Sequence, residues 1–237
     1  MTLTRTWRRA FAAVAAAALL AAGTAVASSA AAPSAARAEE GDVGWVRFAH
    51  LSPDTPPVDV RFTPLSGAGI FMLHVGAGSV TPYRKLAAAT YTVSVLPSGA
   101  AAPSRSLTVT VDAKAATTIV ASGPSTGLGL ASVGDDLTPP SPGAARIRLV
   151  QASTTNPEVD VTAADGTPVA RDLEAGEATG YAEVASGPWT LRLDGDDGTG
   201  SAVADVTADS IISLFVLDAP GGEPTILPVN DSATVAW

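Results

Sequence analysis

A group of polar residues near the start of the chain has the residue types of a hydrolytic or metal-binding site. His50, Ser52, Asp54 and Asp59 fall within ten residues of sequence. Histidine exchanges protons near neutral pH and ligates metals, and carboxylates can serve in either role. Ser-Pro-Asp is also a common turn sequence, in which the serine and aspartate side chains bond to nearby backbone groups. Two interpretations therefore stand: a structural turn, or a metal-dependent or hydrolytic module that uses the histidine and the two acids.

Residues 123–127, Gly-Pro-Ser-Thr-Gly, match the G-x-S-x-G pattern of a hydrolase nucleophile elbow. That elbow needs a strand before the serine, a helix after it, and an acid and a histidine later in the chain. No helical pattern follows Ser125, and both histidines, His50 and His74, precede it. We therefore expect Ser125 to lie in a loop and not to act as a nucleophile.

The acidic run at residues 194–198, Asp-Gly-Asp-Asp-Gly, resembles a calcium-binding loop. An EF-hand loop has a glycine at its sixth position and a bidentate glutamate at its twelfth. The twelfth position here is Asp205, and the fifth, an oxygen-ligand position, is Gly198, so the pattern is not met. We expect a solvated hairpin turn, with weak calcium binding by Asp194 and Asp196 left open.

The chain contains an internal repeat, since residues 46–60 align without gaps with residues 147–161. Both copies keep an arginine, a serine and an aspartate between two valines: Arg47, Ser52 and Asp59 in the first, Arg148, Ser153 and Asp160 in the second. The second copy has Gln151 in place of His50 and Thr155 in place of Asp54. A site that used those two residues would be confined to the first copy, which favours the structural interpretation.

The shared acids Asp59 and Asp160 each lie between two valines, so in a strand they face away from the buried side. We expect both to accept hydrogen bonds from backbone N–H groups or from an arginine. Arg47 and Arg148 are the matched candidates for that arginine.

The hydrophobic pattern has a period of two along most of both copies, and turn residues recur every eight to twelve positions. It predicts an all-β protein of two tandem immunoglobulin-like or transthyretin-like β-sandwich domains. Asp165-Gly166 predicts a hairpin turn. The unbroken apolar run at residues 70–75 predicts a core strand covered on both faces. The alternative is an unpaired edge strand that binds a partner.

The predicted domains are residues 43–134 and 144–231, joined by a Pro-rich connector at 135–143. Because three prolines stiffen the connector, it should limit the mutual orientations of the domains. We expect few contacts to cross it and each domain to have its own core.

The opening motif of the first copy, Arg-Phe-Ala-His-Leu-Ser-Pro-Asp at residues 47–54, resembles that of the DUF4397 family. So do Tyr83, the Ala-Thr-Tyr-Thr-Val segment at 89–93 and the Asp-Asp-Leu-Thr-Pro-Pro segment that opens the connector. The resemblance implies an exported bacterial protein and a β fold. It implies no activity.

Residues 1–38 have the pattern of a cleavable signal peptide: three arginines at the start (Arg5, Arg8 and Arg9), an uncharged apolar run, and cleavage sites after Ala27 and Ala38. The apolar run is too short to span a bilayer, so we expect no membrane span after cleavage. We therefore expect the protein to be secreted or extracellular, with loose association with the cell wall left open. The chain has no cysteine, which excludes disulfides and thiolate chemistry.

Removal of residues 1–38 would change the formal charge from −9 to −13, which disfavours nucleic acid as a partner. Together these features predict a non-enzymatic module of the cell exterior that binds an unknown extracellular or cell-envelope partner or acts as a spacer. We expect no catalytic residue, no metal and no cofactor.

Overall fold

The computed structural model describes residues 42–65, 67 and 69–232, which are almost wholly β. The predicted signal segment at 1–38, with its cleavage sites after Ala27 and Ala38, lies outside the described residues. In the described part of the chain, no helix has both the length and the apolar character that crossing a membrane requires.

The first repeat forms a sandwich of two sheets. Its strands are β1 (Val43–His50), β2 (Val58–Pro64), β3 (Ile70–Val75), β4 (Ser79–Val80), β5 (Arg84–Ala87), β6 (Ala89–Pro97), β7 (Arg105–Val111), β8 (Ala116–Ser122) and β9 (Gly129–Asp135). One sheet has the order β3-β2-β6-β7. In the other, β1 pairs with the short strands β4 and β5 on one side and with β8 on the other, and β9 follows β8. The β1–β8 pair is parallel.

The second repeat has the same plan. Its strands are β10 (Ala144–Gln151), β11 (Glu158–Ala163), β12 (Pro168–Glu174), β13 (Ala182–Ala185), β14 (Gly187–Gly195), β15 (Gly198–Val206), β16 (Ile211–Asp218) and β17 (Pro224–Asn230). The sheets have the orders β12-β11-β14-β15 and β13-β10-β16-β17, and β10 pairs with β16 in parallel. The predicted all-β sandwich class is confirmed, and β11 and β12 form the hairpin predicted at Asp165-Gly166.

Each sandwich has its own core, built from the alternation seen in sequence. In the first, Val46 and Phe48 of β1 face Val60 and Phe62 of β2 and are fully buried. The second core is formed by the corresponding apolar side chains of β10, β11, β14 and β16, together with residues of β12 and β15. Apolar side chains at alternate positions of facing sheets fill the space between them, which accounts for the layer structure.

The two sandwiches also pack against each other through the outer faces of the β1 and β10 sheets. A further buried cluster spans both repeats: Ala49, Leu51, Val120, Val150, Ala152 and Phe215. All the described residues accordingly fall into one compact unit. The expectation that few contacts cross between the repeats is therefore wrong. Strand β1 is buried on both faces because its even-numbered positions face its own core and its odd-numbered ones face the other repeat.

The predicted connector at 135–143 is held along its length. Asp135 is the last residue of β9, and Leu137 is buried beside the second repeat. Arg146 donates to the Thr138 carbonyl at 2.7 Å and pairs with Asp136 at 2.6 Å. The hydrogen bond from Arg146 keeps the pKa of the Asp136 carboxyl well below its usual value. Hydrogen bonds, an ion pair and a buried leucine thus attach the connector to the second sandwich, in addition to the stiffness that its prolines give it.

Strand β3 differs from its prediction as a core strand. It lies at the edge of its sheet and pairs with β2 on one side. Met72 and Val75 face the core, but Phe71 is 56% exposed and Leu73 is 68% exposed. The apolar run has two apolar faces, and only one of them is covered by the sandwich.

Candidate functional site

His50, the first candidate catalytic group, is fully buried at the end of β1. Its Nε2 lies 3.3 Å from the Pro56 carbonyl oxygen, across the loop that follows the strand. In the second repeat, the Gln151 amide donates to the Asn156 carbonyl at 3.0 Å, and its oxygen accepts the Ser153 amide at 2.9 Å. Histidine and glutamine are therefore equivalent here, since each closes the loop after the first strand of its repeat.

Replacing His50 with glutamine should leave the protein folded with little change in its melting temperature, since Gln151 closes the same loop in the second repeat. His50→Ala should lower the melting temperature clearly, because the Pro56 carbonyl would lose its partner and a cavity would form. Circular dichroism melts of the two variants measure the difference. Equal losses in both would show that the imidazole has a property that glutamine cannot supply.

The Asp54 carboxylate and Ser125 bond to each other across two loops. The Ser125 amide donates to Oδ1 at 2.7 Å and its hydroxyl donates to Oδ2 at 2.9 Å. These two bonds lower the pKa of the Asp54 carboxyl. Ser125 lies in a single 3₁₀ turn, Ser125–Gly127, between β8 and β9, as the loop prediction requires. The arrangement ties two loops together, and the lowered pKa makes the Asp54 carboxylate a weaker base toward the hydroxyl that it binds.

The second repeat ties the same two loops with donor and acceptor exchanged. Asp218, at the end of β16, accepts from the Thr154 amide and hydroxyl, both at 2.6 Å, and from the Ser153 hydroxyl. Burial alone would raise the pKa of the Asp218 carboxyl, but its bonds from Ser153 and Thr154 lower it. The acid lies on a different loop in each repeat, but hydrogen bonds link the same two loops in both. The fold therefore requires the link between the loops rather than an acid at one position.

Asp59 and Asp160 occupy equivalent bulges between the second and third strands of each repeat. The Asp59 carboxylate accepts from the His74 amide at 2.9 Å, the Ser98 hydroxyl at 2.8 Å and the Gly99 amide at 3.1 Å. Asp160 accepts from the Asp172 amide at 2.9 Å.

Both amide donors belong to non-glycine residues with positive φ, 57° at His74 and 47° at Asp172. Each acid thus holds a strained bulge in place. Of the two kinds of donor expected for these acids, backbone N–H groups are present in both repeats. Arg47 and Arg148, the matched arginine candidates, bind other carboxylates instead.

Stability should fall on acidification partly through Asp59. The His74 and Gly99 amides and the Ser98 hydroxyl lower the pKa of the Asp59 carboxyl in the folded protein. A group whose folded pKa is lowered stabilises the fold above its unfolded pKa, near 4, and loses that contribution as the pH falls through the folded value. Asp59→Asn should therefore unfold more readily than the wild type at pH 7, with the difference shrinking below about pH 4. Urea midpoints measured from pH 7 to pH 3 test this; a constant difference across that range contradicts it.

The acidic run at 194–198 forms the turn of the β14–β15 hairpin, in which Gly195 pairs with Gly198. The Asp194 carboxylate accepts from Arg192 at 2.7 Å and from the Thr199 hydroxyl at 2.8 Å. The Asp197 amide donates to Asn156 at 3.0 Å. Within the described residues, no three His, Asp or Glu side chains come close enough together to hold a metal ion.

Arg47 forms the centre of a buried polar cluster between the sandwiches. It is 1% exposed, its Nε donates to the Thr118 hydroxyl at 2.7 Å, and its guanidinium lies 4.6 Å from the centre of the Tyr83 ring. Its Nη2 lies 2.7 Å from Asp231 Oδ1 of the second repeat. The N–H is not aimed along this contact, so the pair is ionic rather than a well-aligned hydrogen bond.

Arg148 forms the matching cluster, in which the arginine belongs to the second repeat and its carboxylate to the first. Its Nε donates to the Ser213 hydroxyl at 2.8 Å, and its guanidinium lies 4.7 Å from the centre of the Tyr181 ring. Its Nη2 donates to Asp135 Oδ1, and its Nη1 donates to the Gly134 carbonyl at 2.7 Å. Each arginine thus belongs to one repeat and its carboxylate to the other. We call these two groups the crossed clusters.

Within the crossed clusters each aspartate also accepts two bonds of 2.7 Å from its own repeat. The donors are Tyr83 and Thr118 for Asp135, and Tyr181 and Ser213 for Asp231. Buried carboxylates need such donors because they have left water. Burial, together with the charge of the acid in its own repeat, raises the pKa of both tyrosine phenols, so both stay protonated and donate. Burial alone would lower the pKa of Arg47, but the charge of Asp231 raises it.

The internal repeat singles out Arg47 and Arg148 but neither of their acids, which sequence reasoning missed. The connector prediction included Asp135, and the predicted second domain ended at Asp231. A signal for the two was present: the pattern Asp-x-x-Thr occurs at residues 135–138 and again at 231–234, at the end of the last strand in the first repeat and just after it in the second. Extending the internal alignment to those positions pairs the two acids.

These features define a class of protein: a tandem pair of β-sandwiches joined through a buried polar interface. The sequence matches the family described as Domain of unknown function (DUF4397) over residues 44–162 and 151–236. The chain belongs to the DUF4397 family.

No curated protein matches the sequence. Among solved structures, the Bacillus anthracis TIE protein is 10% identical over 78% of this chain and 34% of its own, with a TM-score of 0.25. The chain thus spans about a third of the length of that protein. The family CBM26 module CBMbc of Eubacterium rectale Amy13K, solved with maltoheptaose, is 12% identical over 82% of this chain and 98% of its own, also at a TM-score of 0.25. At this TM-score neither likeness bears on the function of the chain.

Proposed function

We propose that the chain is a non-enzymatic, secreted or cell-envelope module that presents a rigid pair of β-sandwiches for binding or spacing. The observation that carries the proposal is the pair of crossed clusters, in which Arg47 and Arg148 each bind an acid of the other repeat. Two charged contacts and a shared apolar cluster fix the mutual orientation of the sandwiches. Rigidity of this kind serves a spacer or a binding scaffold.

The candidate catalytic groups support the same proposal through the partners they already have. The Ser125 hydroxyl donates to Asp54, His50 closes a loop against the Pro56 carbonyl, and Asp59 holds a backbone bulge. Each of these groups would have to give up its structural bond in order to accept or deliver a proton. We infer no catalytic role for any of the three.

An assay of the purified full chain tests the absence of enzymatic activity. Ester, glycoside and phosphate substrates would be compared for the wild type, Ser125→Ala and His50→Gln, and a fluorophosphonate probe would be used to label serine. We expect no turnover above buffer and no labelling. Turnover in the wild type that either substitution removes, or labelling of Ser125, would overturn the proposal.

Export is the second part of the proposal and is tested separately. The positive segment, the apolar run and the two cleavage sites support release from the cell, with cleavage after Ala27 or Ala38. N-terminal sequencing of protein from the culture medium should begin at residue 28 or 39. Protein in the medium that begins at Met1 would contradict cleavage. The acidic mature chain, at a formal charge of −13 after cleavage at Ala38, is not expected to bind nucleic acid.

A further inference from the structure

The second sandwich contains a hollow at a place that a side chain fills in the first. Its volume is about 210 Å³, and it lies between the two sheets where β12 faces β10 and β13. Its inner wall is formed by Ile147, Leu149, Val169, Val184 and Trp189. Thr167 and Pro168, both exposed, lie at its mouth. An apolar cavity of about 150 Å³ is already large enough to bind benzene.

Comparison with the first repeat shows which side chain is missing. Met72 pairs with Val60 and is buried, and the Thr81 hydroxyl donates to its sulfur at 3.6 Å. The residue in the same register of the second repeat is Ala170, which pairs with Val161.

The threonine of that contact is present in both repeats. Thr179 accepts the Leu149 amide at 3.0 Å, as Thr81 accepts the Phe48 amide at 2.9 Å, and Thr179 lines the hollow. The space beside this threonine, filled by a methionine in one sandwich, is therefore open in the other.

Two positions that line the hollow also carry smaller side chains in the second repeat. Leu149 replaces Phe48, and Val184 replaces Leu86, at matched places in the sheet. The aromatic residue at the edge changes as well: Trp189, which is partly exposed, replaces the buried Tyr91. Both rings bond to an equivalent carbonyl, so the backbone is the same while the volume of the core is not.

We propose that this hollow binds a small uncharged molecule with an unbranched alkyl chain and an oxygen or sulfur acceptor. The chemistry follows from the side chain whose place it takes, since a methionine side chain is unbranched, apolar and carries a weak acceptor. The Thr179 hydroxyl is positioned to donate to that acceptor, as Thr81 does to Met72. The indole of Trp189 forms one side of the space that the alkyl chain of the ligand would occupy.

The charges at the site oppose an acidic head group. Arg148, the single cation that lines the hollow, is already neutralised by Asp135. Asp165 lies in a second, more open hollow that shares Thr167 and Trp189 with the first. A carboxylate would therefore meet an acid and no free cation, whereas an alcohol or a thioether carries no such penalty.

Methyl-resolved NMR of the full chain, titrated with 1-hexanol and separately with hexanoate, tests the proposal. We expect saturable shifts from 1-hexanol at Ile147, Leu149, Val169 and Val184, and weaker ones or none from hexanoate. Val46 and Leu86 of the first sandwich are the internal control and should not respond. Shifts that do not saturate, or equal responses in both sandwiches, would overturn the proposal, and so would tighter binding of hexanoate.

Two substitutions that restore residues of the first repeat complete the test. Ala170→Met should fill the hollow, abolish the saturable shifts and leave the fold intact. Val184→Leu should fill the hollow in part and weaken binding. It provides the test if Ala170→Met does not fold. Binding unchanged in a folded filling variant would overturn the site, while the proposal of a non-enzymatic module would stand, because it is tested by turnover and by N-terminal sequencing.

Discussion

Replacing Arg148 with methionine is expected to destabilise the protein by about 3–5 kcal/mol, because it leaves the buried Asp135 carboxylate without its cation. The side chains of this pair are 2% and 0% exposed. Tyr83 and Thr118 would still donate to the acid, but two neutral donors do not replace a cation in an interior. Urea unfolding at pH 7 measures the loss.

Two comparisons separate the buried charge from lost packing. Asp135→Asn added to Arg148→Met should recover part of the stability, because the remaining amide is neutral and still accepts from Tyr83. Arg192→Met is the exposed control: its pair with Asp194 has side chains 63% and 40% exposed, and its loss should leave the midpoint unchanged. A double variant no more stable than the single one would show that the buried charge is not the cause.

Phe215→Ala should cost about 3–5 kcal/mol and should loosen the two sandwiches relative to each other. Phe215 is fully buried, not in the core of its own sandwich but among Val120, Leu51 and Val150 between the repeats. Truncation leaves a cavity at the centre of that interface, which rigid sheets on either side can close only by moving. Thermal unfolding and small-angle scattering of the same samples measure both effects.

The matched control for Phe215 is Val203→Ala, a truncation of a side chain that is 62% exposed on β15. It should leave both the melting temperature and the radius of gyration unchanged. If Phe215→Ala melts at the same temperature as Val203→Ala, the interface between the repeats contributes little, and the expectation of two independent domains regains its support.

The strands and the duplication could be read from the sequence because both leave local patterns. Alternation placed Val46 and Phe48 on one face, and the aligned copies located Arg47 and Arg148 as equivalent. The prediction that the strand at 70–75 is covered on both faces is wrong for a physical reason. An unbroken apolar segment has two apolar faces, and nothing local says whether a neighbour covers the second one, as the exposed Phe71 shows.

The partners of the two arginines lay beyond what such patterns hold. Asp59 was the nearest shared acid, and pairing it with Arg47 assumed that the contact stays within one repeat. The actual partner is Asp231, in the other repeat. Packing between repeats depends on which faces of the sheets are left uncovered, and an alignment of the copies compares them without placing them in space.

The crossed clusters carry an implication for the origin of the chain. Equivalent residues meet each other's partners across the interface, Arg47 with Asp231 and Arg148 with Asp135, which is the pattern that a two-fold axis imposes on an isologous homodimer. A chain with one repeat would carry an arginine and an aspartate that only a second copy could satisfy. Duplication and fusion would then convert an association between molecules into one within a molecule, independent of concentration. An isolated repeat should accordingly form dimers in solution, and sedimentation of residues 144–237 would detect them.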